Sequence, residues 1–149
     1  IAGYNFGAKL YGRVNKVLKL TIIYATAVTT FGFLVGMLVP DLVVGIFTSD
    51  AELTELSVTG LRITVMFFPI IGFQMVTSNF FQSIGMAGKA IFLSLTRQML
   101  ILLPCLLILP QFFGVAGVWY SMPVSDLLAS LIALVMLVCQ FRKFRTSPL

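Results

Sequence analysis

Four apolar stretches, each long enough to cross a bilayer, limit what this chain can fold into. They run from Val17 to Val39, Leu56 to Ile84, Ala90 to Phe113 and Val115 to Phe141. A lipid core about 30 Å thick needs about 20 helical residues. The first stretch carries no charge after Lys19, and Pro40 and Asp41 close it. The others carry one charge each, Arg62, Arg97 and Asp126. Composition agrees: 59% of the 149 residues are hydrophobic and 10% are charged. Soluble domains run nearer 45–50% apolar and about 25% charged. A soluble chain of this length leaves too much of its surface in water to hide so much apolar area.

Helices, not strands, are expected. A membrane barrel strand alternates apolar and polar residues. Segments such as Phe31–Val39 and Leu131–Val138 do not alternate. In lipid every backbone polar group needs a partner within the protein, which a helix supplies to itself. The expected fold class is an all-α integral membrane protein with four transmembrane helices. Ser49 is expected to cap the second helix, with Glu52 completing a capping box. Pro69 and Gly72 mark a kink within it. Gly85-Met86-Ala87-Gly88-Lys89 and Gln111–Gly117 read as short hairpin turns.

Charge sets orientation. Lys9, Arg13, Lys16 and Lys19 precede the first helix, Lys89 follows the second, and Arg142, Lys143 and Arg145 follow the fourth. The loop after the first helix holds Asp41, Asp50 and Glu52, with Glu55 just beyond, and no basic residue. The positive-inside rule therefore places both ends in the cytoplasm, for a multi-pass protein of the plasma (inner) membrane. Phe112, Phe113, Trp119 and Tyr120 are expected as an aromatic belt at the outer face. Three regions follow: residues 1–16 as a cytoplasmic loop and amphipathic lead-in (Leu10, Val14, Val17 and Leu18 on one side), 17–141 as the membrane part, and 142–149 as a cytoplasmic tail. The chain opens on Ile1 without a signal-peptide pattern, as expected of a fragment of a longer reading frame.

Several function classes drop out. The net charge of +5 flanks apolar segments and does not form the basic surface of a nucleic-acid binder. With no histidine, a Ser-His-Asp triad or His-metal site is excluded, and no phosphate-binding glycine loop is present. No catalytic residue, resident metal or cofactor is expected. Cys105 and Cys139 sit in apolar runs at different depths and read as small buried hydrophobes without a disulfide.

Polar groups inside the apolar runs are the candidate functional residues, since a charge near the bilayer centre costs at least about 2.5–3.5 kcal/mol. Arg62 is expected to snorkel towards Asp50, Glu52 or Glu55. Arg97 and Asp126 are coupling or structural candidates. Arg97 is expected to clasp helix-end carbonyls or a neighbouring helix, or to act as a gate. Asp126 either bonds the backbone that Pro123 frees or takes up a proton or cation. The second helix is studded with Gln74, Thr77, Ser78, Asn79, Gln82 and Ser83, and Gln74, Ser78 and Gln82 share one face. This stripe serves either interhelical hydrogen bonding or the lining of a substrate cavity. In the second reading Met66, Phe67, Phe68 and Met75 are adaptable apolar contacts for greasy cations.

Four linked segments resemble the multidrug and toxic compound extrusion (MATE) transporters. Gly3-Tyr4-Asn5-Phe6-Gly7-Ala8-Lys9 resembles the loop after their eighth helix. Asn79-Phe80-Phe81-Gln82-Ser83-Ile84-Gly85 resembles the end of the tenth. Leu95-Thr96-Arg97-Gln98 resembles the eleventh. Phe113-Gly114-Val115-Ala116-Gly117-Val118-Trp119, with Pro123 and Asp126, resembles the start of the twelfth. The resemblance implies helices nine to twelve of twelve, in a protein that exports amphipathic organic cations in exchange for sodium ions or protons by alternating access. Implied partners are the lipid bilayer, such cations and the preceding helices, but no nucleic acid. The chain departs from the pattern of members that carry an acid in the tenth helix: only uncharged polar groups surround Ser78 and Asn79. A lipid or polysaccharide flippase of the same superfamily, or a small non-transporting membrane subunit, are the alternatives. A membrane enzyme is disfavoured by the missing histidines and paired carboxylates.

Overall fold

The fold, taken from a computed structural model, describes residues 1–146, with side chains to Lys143. The side chain of Arg145 and residues 147–149 of the expected tail lie outside the described residues. Two short helices, α1 (Ala2–Gly7) and α3 (Pro40–Gly45), flank a long one, α2 (Tyr11–Leu38). Then come α4 (Ala51–Val65), α5 (Phe68–Ser83) and α6 (Ala87–Leu95). A π-helical segment (Thr96–Leu102) continues α6 into α7 (Leu103–Phe113), and α8 (Val115–Thr146) ends the chain. The described residues contain no strand. The chain is a multi-pass, all-helical membrane protein. Three helices, Tyr11–Leu38, Ala87–Phe113 and Val115–Lys143, are long and apolar enough to cross a bilayer. The pair α4 and α5, bent by 49°, is long and apolar enough to cross only when taken together, as a broken fourth span would.

The bend lies at Met66 and Phe67, just before Pro69, while Gly72 stays inside α5. Proline fits the first turn of a helix, where its missing N–H is not needed, but resists an extension behind it. The kink therefore falls on the N-terminal side of Pro69. The cap of α4 also differs by one residue from expectation. Asp50, not Ser49, accepts the Leu53 N–H at 3.0 Å, and Thr48 Oγ1 accepts the Asp50 N–H. Aspartate caps as well as serine and adds a charge favoured at a helix N-terminus. Asp50→Ala should destabilise the protein by about 1 kcal/mol, read as a lower midpoint in denaturant titration of the purified protein.

The π segment was not legible as such. It ends one residue before Leu103-Pro104, and Pro104 cannot donate to the carbonyl of Leu100. A wider turn upstream accommodates that missing bond. The turn before α8 is shorter than the expected Gln111–Gly117. Gly114 alone makes it, with φ of 57°, a left-handed conformation open to glycine. Of the aromatic residues expected near the outer face, Trp119 packs over Gly60 of α4, and Phe112, Phe113 and Tyr120 are exposed. Cys105 and Cys139 are free thiols, and Cys139 is exposed on α8, not buried.

The core gathers at the end of the bundle where the basic residues cluster. Val14 and Leu18 of α2 meet Phe80, Phe81 and Ile84, Leu93 of α6, and Ala133 and Leu137 of α8. α5 packs against both α2 and α8 and is the central helix. Large apolar residues elsewhere, such as Ile23, Val28 and Val135, point outward, which is the expected surface towards lipid. Leu10 is exposed, so the amphipathic side of the lead-in rests on Val14 and Leu18.

Candidate polar site within the membrane

Arg97 and Asp126 form the central feature. Arg97 follows the start of its span by about 15 Å of helix rise, and Asp126 does the same from the opposite end. Both lie near mid-depth in a bilayer core of about 30 Å. Arg97 Nε donates to Asp126 Oδ1 at 2.8 Å, and Nη2 lies 2.8 Å from the same oxygen in an ion pair. Asp126 is 4% exposed, whereas the side chain of Arg97 keeps 28%. The cation thus turns one flank to the acid and another towards open space.

Asp126 does not bond the backbone freed by Pro123. The reason is chemical. Proline removes a donor and leaves a carbonyl, and an ionised carboxylate accepts only. Its partner therefore had to be a donor, and Arg97 is that donor. Hydroxyl groups take the nearby carbonyls: Ser121 donates to Gly117 O, Ser125 to Met122 O and Ser130 to Asp126 O.

A cleft of about 160 Å³ opens beside Arg97. From α5 it is lined by Gln74, Met75, Ser78 and Asn79, and from the facing span by Ser94, Arg97 and Gln98. Ser78 Oγ lies 3.3 Å from Ser94 Oγ and donates to Ala90 O at 3.3 Å, tying the two helices together. Gln74 is 4% exposed, and its Oε1 has no hydrogen-bond partner. An unpaired buried acceptor costs about 1–3 kcal/mol, so its retention needs an explanation.

Of the residues singled out in the sequence, Gln74, Met75, Ser78, Asn79 and Arg97 meet at this cleft, with Asp126 behind it. Met66, Phe68 and Gln82 do not line it. Met66 is exposed at the bend, and Phe68 packs towards Gly32 of α2. Gln82 is exposed two turns nearer the basic end. The shared face of Gln74, Ser78 and Gln82 therefore reaches the cleft over only part of its length. Arg62 is exposed and forms no ion pair with Asp50, Glu52 or Glu55. Ser94 and Gln98 were not singled out by sequence. Their signal was a four-residue spacing, which puts Ser94 and Gln98 on one helix face, with Arg97 three residues after Ser94. A second polar clasp also escaped notice: Lys89 Nζ donates to buried Gln140 Oε1 and lies 5.2 Å over the Phe81 ring.

Comparison with known proteins gives consistent results. The family model described as MatE matches residues 1–108. The multidrug export protein MepA of Staphylococcus aureus strain MSSA476 is 25% identical over 134 residues, and that of strain MW2 is the same. The match covers 90% of this chain and 29% of the relative, so the chain spans under a third of these relatives' length. A solved chain titled "protein A" superposes with a TM-score of 0.88 at 35% identity, covering 97% of this chain and 32% of its own. The Vibrio cholerae MATE transporter VcmN in its bent form superposes with a TM-score of 0.85 at 20% identity. That match covers 96% of this chain and 33% of VcmN.

Proposed function

The chain belongs to the MatE family, and from that premise we propose that it is the C-terminal part of a cation-coupled multidrug efflux antiporter. In this reading the four spans are helices nine to twelve, with both ends in the cytoplasm and the protein in the plasma (inner) membrane. Sodium ion or proton is the coupling ion, and amphipathic organic cations are the cargo. The match to MepA, whose name states multidrug export, supports this.

The observation that carries the reading is the polar cleft at mid-depth. Six of its seven lining side chains are polar, in a chain where 59% of residues are hydrophobic. Such groups persist in a membrane helix only where they face protein or a water-filled space. Broken or widened helices at such depth serve the same end, since irregular backbone is tolerated where it lines a cavity. Here the α4–α5 bend precedes the cleft residues of α5, and the π segment supplies Arg97 and Gln98.

The residues divide the task by chemistry. Gln74 Oε1, an acceptor without a donor, suits an N–H group or water carried in by cargo. Met75, 54% exposed, offers a soft thioether to an apolar ring. Asp126 neutralises Arg97 and so removes the charge that would repel a cationic guest. Competition between a coupling cation and Arg97 for Asp126 would link ion binding to the packing of the last two spans.

Gln74→Leu tests this in the full-length protein. It keeps the side-chain volume and removes the acceptor. Ethidium efflux from cells should fall about tenfold at unchanged protein level, the loss expected when a hydrogen bond of about 1.4 kcal/mol is missing. Efflux at the wild-type rate at equal expression would remove Gln74 from the cargo path. A protein that moves labelled lipid or glycan carriers but not ethidium would favour the flippase alternative.

A further inference from the structure

A second hollow lies at the basic end of the bundle, away from the cleft. α5 packs against both α2 and α8, while those two barely touch each other. The gap between them is a groove of about 600 Å³, within the size range of small-molecule sites. Tyr11, Asn15 and Lys19 line it from α2, and Leu137, Phe141 and Arg142 from α8. We propose that this groove is a binding site for one anionic phospholipid, with Lys19 and Arg142 holding the phosphate and the acyl chains lying along its apolar wall.

Charge complementarity selects the occupant. Seven cations, Lys9, Arg13, Lys16, Lys19, Lys89, Arg142 and Lys143, are placed at this end of the bundle. Four of the five acids, Asp41, Asp50, Glu52 and Glu55, belong to the opposite end, and the fifth is held by Arg97. Lys19 and Arg142 are exposed at the two sides of the groove. A guanidinium matches a phosphate with parallel hydrogen bonds, and an ammonium adds a point charge. The rest of the wall is largely apolar: Leu18 and Leu137 belong to the core, and Ile22 and Val138 lie beside them. Cations bordering a greasy slot suit a phospholipid, which carries a charged head on apolar chains. Basic pockets between membrane helices take such headgroups. A zwitterionic lipid brings an ammonium of its own, which the same cations repel, so phosphatidylglycerol is favoured over zwitterionic lipids.

The test uses the full-length protein, purified in detergent and titrated with phosphatidylglycerol while native mass spectrometry counts retained lipid. Wild type should retain one phosphatidylglycerol per chain under conditions that strip phosphatidylcholine. Lys19→Gln with Arg142→Gln should weaken retention about 25-fold, at about fivefold for each cation near the surface. Lys19→Arg with Arg142→Lys should keep it, which separates loss of the site from loss of the fold. Lys9→Gln with Lys16→Gln removes the same charge outside the groove and should leave retention intact. The proposal is overturned by equal retention of the two lipids, by equal loss in the two charge-removing pairs, or by displacement with millimolar inorganic phosphate alone.

Discussion

Asp126→Ala should both destabilise the protein and abolish ethidium efflux. The substitution leaves the Arg97 guanidinium at mid-depth without the carboxylate that two of its nitrogens contact at 2.8 Å. Removing one partner of a buried ion pair costs about 3–5 kcal/mol, because the other charge stays behind uncompensated. Arg97 keeps some exposure to the cleft, so the low end, about 3 kcal/mol, is expected. Denaturant titration of the purified full-length protein reads the loss. A second variant separates packing from function. Arg97→Met with Asp126→Leu removes both charges and fills similar space, and it should recover most of the lost stability. Efflux should stay absent in that double variant, since no group remains to exchange partners with a coupling ion. Wild-type efflux in the double variant would reduce the pair to a structural clasp.

The second large effect is expected at Gly72. A Cβ there would sit 2.7 Å from Thr29 Oγ1 and 3.0 Å from the backbone of Ala25. Thr29 cannot simply swing away, because its hydroxyl donates to Ala25 O and Thr26 O. Nor can the backbone of α2 yield without parting from α5, the most extensive helix pairing in the bundle. Small residues at membrane helix crossings permit this approach. Gly72→Val should therefore lower stability by about 3 kcal/mol, the upper end for overpacking, with lower yield of folded protein. Gly88→Ala is the matched control. A Cβ there meets nothing within 4 Å, so helix propensity alone acts and the change should be neutral or stabilising by about 0.5–1 kcal/mol. If the two variants melt together, the α2–α5 crossing does not limit stability.

Both effects also separate what a linear reading can reach from what it cannot. The four spans were legible because the length of an apolar run is a one-dimensional quantity, and lipid imposes it segment by segment. Only small shifts were needed, such as α2 beginning at Tyr11 and Asp50 replacing Ser49 as the cap. Local chemistry also flagged Gln74, Ser78, Asn79, Arg97 and Asp126, since a polar group in lipid announces itself by its cost. Position along one helix does not say what stands opposite. Met66 and Phe68 share their helix pair with Gln74, yet the bend at Met66 and Phe67 turns them elsewhere.

By itself, then, the sequence determined that the chain is helical, crosses the membrane and carries polar groups that lipid cannot satisfy. Only the tertiary structure decided that Arg97 belongs to Asp126, that Ser94 and Gln98 complete the cleft, and that Gly72 is a contact rather than a hinge. The physical reason is one of range. Backbone hydrogen bonding and transfer to lipid act within a segment, whereas a salt bridge, a cleft and a close crossing need two segments in register. The π turn before Pro104 and the bend before Pro69 help set that register, and neither can be placed until neighbouring helices fix which backbone bond is given up.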